Sequence, residues 1–151
     1  MKDKYYTPAI EEFHVGFEYE ELINDDMLSI RSDNHIDDIY WCKIKLSDNY
    51  ISFSELPSKI KYEQIRVKYL DKEDIESLGF IYKGKTVDLW FEKEGTFLIN
   101  TWTSYKIIIH YGIDHRLYVE AQDTGNEECL FQGEIKNKSE LKTLLKQLNI
   151  I

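Results

Sequence analysis

The side chains best suited to chemistry early in the chain are His14, Glu18 and Glu20, within the run Phe13-His-Val-Gly-Phe-Glu-Tyr-Glu20. Imidazole and carboxylate suit divalent ions. In an extended segment, alternation puts these three on one side and Phe13, Val15, Phe17 and Tyr19 on the other. Three expectations follow. A small metal-assisted hydrolase would gather His14, Glu18 and Glu20, with His110 as a fourth group. A docking strip would add to a partner's sheet edge, with Phe13, Phe17 and Tyr19 filling pockets and Glu18 and Glu20 steering a basic partner. An ordinary edge strand would turn its aromatics inward and leave its carboxylates in water. Gly16 weakens a strand and marks a bulge or a close backbone approach.

Other chemistry-bearing residues are more dispersed. His110 and His115 flank a turn with Gly112 and Asp114, and Glu120 and Asp123 follow; a proton-transfer pair needs such groups within hydrogen-bond reach. No serine, cysteine or threonine stands in a recognisable nucleophile elbow, so strand-end histidines are the expectation. Cys42 and Cys129 have no CxxC spacing and read as small buried fillers, not nucleophiles. The acids Asp25, Asp26, Asp33, Asp37 and Asp38 lack the alternating spacing of a calcium loop and read as a solvated loop. The seven glycines are scattered singly, with no GxGxxG and no GxxxxGK[ST] to cradle a phosphate. Lys59, Lys61, Arg66 and Lys68 form a modest basic stripe, read as a solvated strand edge.

Two helices should flank the sheet that positions these groups. Asp71 is an N-cap, Asp74 follows at N3, and Gly79 supplies a left-handed stop, which predicts a two-turn helix held by Ile75 and Leu78. Asn137 with Glu140 forms a capping-box arrangement, and Leu141, Leu144, Leu145 and Leu148 make one apolar stripe beyond it. Between them, strands are predicted at 80–82, 87–91, 97–101, 105–111, 117–121 and 129–135. The links are too short for parallel crossovers, so they form an antiparallel meander. Residues 39–46 and 65–70 also read as strands, and 13–19 as a strand or extended arm. The plan is α+β: a meander of five to six strands, a short helix before it and an amphipathic C-terminal helix on one face.

A three-residue turn at Lys93-Glu94-Gly95 would set residue 91 opposite 97 and 89 opposite 99. One face then carries Val87, Leu89, Phe91, Phe97 and Ile99, a core for the leucine-rich helix. The other carries Asp88, Trp90, Glu92, Leu98, Asn100 and Trp102. Two indoles among polar groups need a cover, either the chain's first third or another molecule. Trp90 and Trp102 are therefore candidate partner-binding residues.

The 151 residues carry 19 Lys+Arg against 28 Asp+Glu, a formal charge of −9. That balance argues against a non-specific nucleic-acid binder, and 42% hydrophobic residues argue against a disordered chain. No apolar stretch reaches the ~20 residues of a membrane helix, and the start has no signal-peptide pattern. The expectation is a soluble protein of a reducing cytoplasm, with no cofactor. Residues 1–56 hold 13 acids and 5 bases, and residues 57–151 hold 15 and 14. This break suggests an acidic N-terminal segment, 1–56, and an α+β body, 57–151, joined near Pro57-Ser58-Lys59 within one compact domain.

Three runs carry a resemblance: Tyr6-Thr-Pro-Ala-Ile-Glu-Glu-Phe-His-Val-Gly-Phe-Glu-Tyr-Glu20, Arg66 to Phe80, and Leu130 to Leu148, together about a third of the chain. They resemble small uncharacterised proteins encoded by bacteriophages and prophages. The resemblance implies a viral or mobile-element origin, action in the bacterial host cytoplasm or in association with a virion, and no catalytic residue. The functional expectation is an accessory protein that binds another protein through an acidic, aromatic surface. The alternatives are the metal-assisted hydrolase above and an oligomer that stacks a nucleotide or other small molecule on its aromatic faces.

Overall fold

The computed structural model describes residues 4–14, 16–24, 39–46, 55–85, 87–99, 102–123 and 126–151. The acids Asp25, Asp26, Asp33, Asp37 and Asp38, with Val15 and Asn100, lie outside the described residues. The chain is α+β and divides into two compact units, Met1–Lys68 and Tyr69–Ile151. No described helix is long and apolar enough to cross a membrane.

The N-terminal unit contains β1 (Tyr5–Tyr6), a 3-10 turn at Ile10–Glu12, β2 (Glu18–Asn24), β3 (Ile39–Lys45), α1 (Leu56–Lys61) and β4 (Ile65–Lys68). Its antiparallel sheet has the order β1-β4-β2-β3. Phe17, Tyr19, Leu46, Leu56, Ile65 and Val67 form one buried cluster. The strand expected over 13–19 begins only at Glu18, because Gly16 takes φ +86° and turns the chain. That turn is held by Gly16 N–H donating to the Leu46 carbonyl at 2.8 Å, and Phe17 N–H to the His14 carbonyl at 2.9 Å. Pro57, where the charge break suggested a joint, sits in the first turn of α1. A first-turn proline costs the helix nothing, since its missing N–H would be unpaired there anyway.

The C-terminal unit opens with α2 (Lys72–Glu76), capped by Asp71 Oδ1, which accepts from Asp74 N–H at 3.0 Å. Gly79 stops it at φ +88°. Then come β5 (Ile81–Lys85), β6 (Leu89–Ile99), β7 (Trp102–Tyr111), β8 (Arg116–Asp123), β9 (Asn126–Glu134) and α3 (Lys138–Gln147). The strands form a meander in sequence order, β5-β6-β7-β8-β9, antiparallel throughout.

The turn expected at Lys93-Glu94-Gly95 does not form. Those residues lie inside β6, which merges two predicted strands into one of 11 residues, and Phe91 pairs with Ile109, not Phe97. The register shift between Glu94 and Phe97 absorbs Gly95 as a bulge within the strand. Lys93, on the inner side, also ties this strand to the end of α2, where its ammonium donates to the Leu78 carbonyl at 3.2 Å.

The inner face still carries the core. Phe91, Phe97, Ile107, Ile109, Leu117, Val119 and Ala121 bury with Ile75 of α2 and Leu141 and Leu145 of α3, and Leu89, Leu144 and Leu148 pack partly against them. Val87, assigned to this face from the sequence, is instead 85% exposed.

Candidate functional site

The outer face of the five-strand sheet places side chains in rows across the strands. One row is Trp90, His110 and Tyr118; the next is Ile81, Glu92, Ile108, Glu120 and Cys129; the third is Glu94, Lys106, Gln122 and Glu127. Period-2 alternation accounts for it: each of these residues neighbours an inner-face residue such as Phe91, Ile109 or Val119.

In the aromatic row, the Trp90 and His110 rings stack with centroids 6.2 Å apart and 14° between planes, and Tyr118 meets His110 at 6.1 Å. His110 Nε2 lies 3.8 Å from Glu120 Oε1. The Tyr118 hydroxyl is raised above its ordinary value, first by its hydrogen bond with Cys129, then by desolvation and the nearby carboxylates. The Glu92 carboxylate is buried and faces two ammoniums, Lys83 at 3.5 Å and Lys106 at 3.7 Å. Gln122 Nε2 donates to Glu127 Oε1 at 2.8 Å. Of these groups, Trp90, His110, Glu120, Glu92, Lys106, Gln122 and Glu127 border an open groove of about 450 Å³.

One atom in this groove is unsatisfied. Trp90 Nε1 is buried and has no hydrogen-bond partner, alone in this among the side-chain nitrogens and oxygens of the described residues. Leaving a buried donor unmade costs ~1–3 kcal/mol, so this indole N–H would gain from an acceptor that a small movement of its surroundings let in.

The other candidate residues fall elsewhere. Phe17 and Tyr19 are buried in the N-terminal unit, with Phe13 packed on them at 5.0 and 5.4 Å between ring centroids. They are core residues, and a docking strip made of them would have to unfold its own unit. Glu20 is held by Arg66, which donates from Nε at 2.8 Å and from Nη2 at 2.7 Å. Glu18 is an exposed residue of β2, and His14 Nδ1 lies 2.9 Å from the Glu12 carbonyl oxygen, in the preceding turn. The triad of His14, Glu18 and Glu20 is therefore not assembled, and no metal-holding group of three or more His, Cys, Asp or Glu occurs among the described residues.

His110 and His115 do not share a site either. His110 lies in the outer-face aromatic row, whereas the Tyr111 hydroxyl, 2.8 Å from His115 Nδ1, belongs to a residue of the core. His115 takes φ +65° and stacks on Tyr69 at 4.3 Å. Cys129 is exposed and Cys42 half-buried, so neither is the buried filler expected. Lys59 and Arg66 of the basic stripe pair with Glu21 and Glu20. The backbone of Trp102 pairs with Ile99, and its side chain lies outside the described groups. Of the residues named from the sequence as partner-binding, Trp90 alone is placed in the groove. His110 and Glu120, named from the sequence for proton transfer, border it too, whereas Glu127 of β9 was not singled out, because its place here depends on the pairing of β9 with β8.

No protein-family model, curated protein or solved structure matches the chain.

Proposed function

We propose that this protein acts by binding another protein, and that the outer face of its five-strand sheet is the contact surface. The observation that carries the reading is the buried, unpaired Trp90 Nε1 beside a groove bordered by carboxylates. Tryptophan supplies large contact area at interface centres, and its N–H fixes the orientation of an acceptor. Glu120 and Glu127 add charge that steers a basic partner. A protein partner fits this face better than a nucleotide does. Its two lysines, Lys83 and Lys106, both face Glu92, which leaves phosphate little free positive charge. The resemblance of three sequence runs to small phage proteins supports a phage or host protein as partner. It also supports an accessory role in the bacterial cytoplasm or on the virion.

The test begins with a partner identified by photo-crosslinking from a position on this face, then purified. Trp90→Ala should weaken its binding ~30-fold, the size of an interface hot spot, while the circular dichroism spectrum stays that of the parent. Trp90→Phe keeps most of the area but loses the donor and should fall between. Binding by folded Trp90→Ala within twofold of the parent defeats this assignment of the surface.

A further inference from the structure

The two edges of the C-terminal sheet differ in kind. Edge β5 has five residues, two of them lysines, and an irregular register at Tyr82 and Gly84. Those are the usual devices that blunt an edge against added strands. Edge β9 has nine residues, contains no lysine, arginine or proline, and pairs among the described residues only with β8; like β5 it has one register shift, at Leu130 between Cys129 and Phe131, so length and the absence of cations are what set it apart. Its acids Glu127, Glu128 and Glu134 are exposed, and none forms an ion pair among the described residues. Arg116, across from Glu134, turns instead to Asp114 at 3.3 Å.

Resting on the reading of this unit as a binding module, we propose that β9 is the docking edge and that its occupant is an extended, basic segment of a partner protein. The segment adds as a sixth strand. On each side of the shift at Leu130, every second residue of β9 turns its backbone N–H and C=O away from β8, and these groups give the segment its hydrogen bonds. Charge selects the sequence. Glu127 and Glu134 both stand on the outer face, opposite Gln122 and Arg116, six β8 positions apart, or roughly 20 Å. Lysines or arginines at alternate positions of the added strand would line up along that same face. Glu127 also borders the Trp90 groove, so the added strand extends the proposed contact surface without a break. A second copy of the chain is the poorer occupant, because pairing β9 with itself sets three glutamates against three.

The experiment uses the full chain and peptides as long as β9, one alternating lysine with valine and one alternating glutamate with valine. Amide hydrogen exchange read by NMR should show outward-facing β9 amides exchanging ~10-fold more slowly with the lysine peptide and unchanged with the glutamate peptide. The protection should weaken as salt is raised to ~0.5 M. Glu127→Lys/Glu134→Lys, which alters only exposed side chains, should reverse the preference. The proposal is overturned if the lysine peptide protects no β9 amide, if both peptides protect equally, or if the protein alone protects β9 by dimerising, seen as a doubled mass in light scattering. Failure at β9 while Trp90→Ala still weakens a partner would leave the contact face standing and remove only the edge.

Discussion

Arg66 shows how one side chain can settle what a sheet face does. Its guanidinium carbon lies 3.9 Å from the centroid of the Tyr5 ring and 4.0 Å from that of Trp41, while two of its nitrogens donate to Glu20. A planar cation between two rings and a carboxylate uses the properties in which arginine differs from lysine. A glutamate that could have joined a metal site is thereby committed to β4. Removing the guanidinium forfeits two cation–π contacts and leaves a mostly buried carboxylate unpaired. Arg66→Ala should therefore destabilise the N-terminal unit by about 2–3 kcal/mol. Arg66→Lys should lose about half as much, since the charge survives but the stacking and the two-pronged bond do not. Urea unfolding followed by Trp41 fluorescence reads both, and equal losses for the two variants would show that only charge matters.

At the scale of elements, the two capped helices were legible and the long strand was not. Asn137 is buried; its Oδ1 accepts from Glu140 N–H and its Nδ2 donates to Glu140 Oε1, each at 3.0 Å. Glu140 Oε2 reaches back to Lys136 N–H at 2.7 Å, one residue before the cap. Asn137→Ala should cost about 1–2 kcal/mol, the upper range for a cap because these groups are partly buried. Leu145→Ala, at a fully buried position of the same helix, should cost about 2–5 kcal/mol. Thermal or urea unfolding of both variants checks the order, and a cap loss larger than the leucine loss would reverse this account of α3. Caps and stripes are local signals, so a single segment suffices to find them. The bulge at Gly95 is not local: glycine after Lys93-Glu94 suits a turn equally well, and the choice is made by Glu92 pairing with Ile108 and Lys93 with Ile107. Nor could α1 be found by reading Pro57 as a break, since the same residue opens a helix as readily as it ends one. The sheet order β1-β4-β2-β3 joins Tyr5 to Lys68 and Glu20 to Arg66, contacts that no alternation within one segment encodes. For the candidate site, alternation in β6 located Trp90 and Glu92 on one face, but their partners His110 and Lys106 required the register of β7.

At the scale of the whole molecule, two units with separate cores each hold groups whose protons matter at alkaline pH: Lys59 in the N-terminal unit, and Tyr111 together with the outer-face Tyr118 in the C-terminal one. In the C-terminal unit, burial raises the Tyr111 hydroxyl well above its ordinary value, helped by the Asp71, Glu140 and Asp74 carboxylates. In the N-terminal unit, burial works against the Lys59 charge, but its hydrogen bond and attraction to Glu21, with Glu55 nearby, outweigh it and raise its value. Both groups thus hold their protons more tightly folded than unfolded. Their contributions are complete below the unfolded values near pH ~10 and are lost as pH rises through the folded ones, because the unfolded chain then binds fewer protons. Stability should fall as pH is raised above ~10 in both units, with no slope from these two groups at neutral pH. Tyr111→Phe should reduce the fall in the C-terminal unit alone, leaving the share of Tyr118, even though it also gives up the bond to His115 and lowers the starting stability. Lys59→Gln should flatten it in the N-terminal unit alone. Urea titrations at successive pH values, with NMR signals from each unit followed separately, resolve the two. An unchanged alkaline slope in the Tyr111→Phe protein would mean that this phenol is no more tightly protonated folded than unfolded, and its buried, carboxylate-ringed setting would need another explanation.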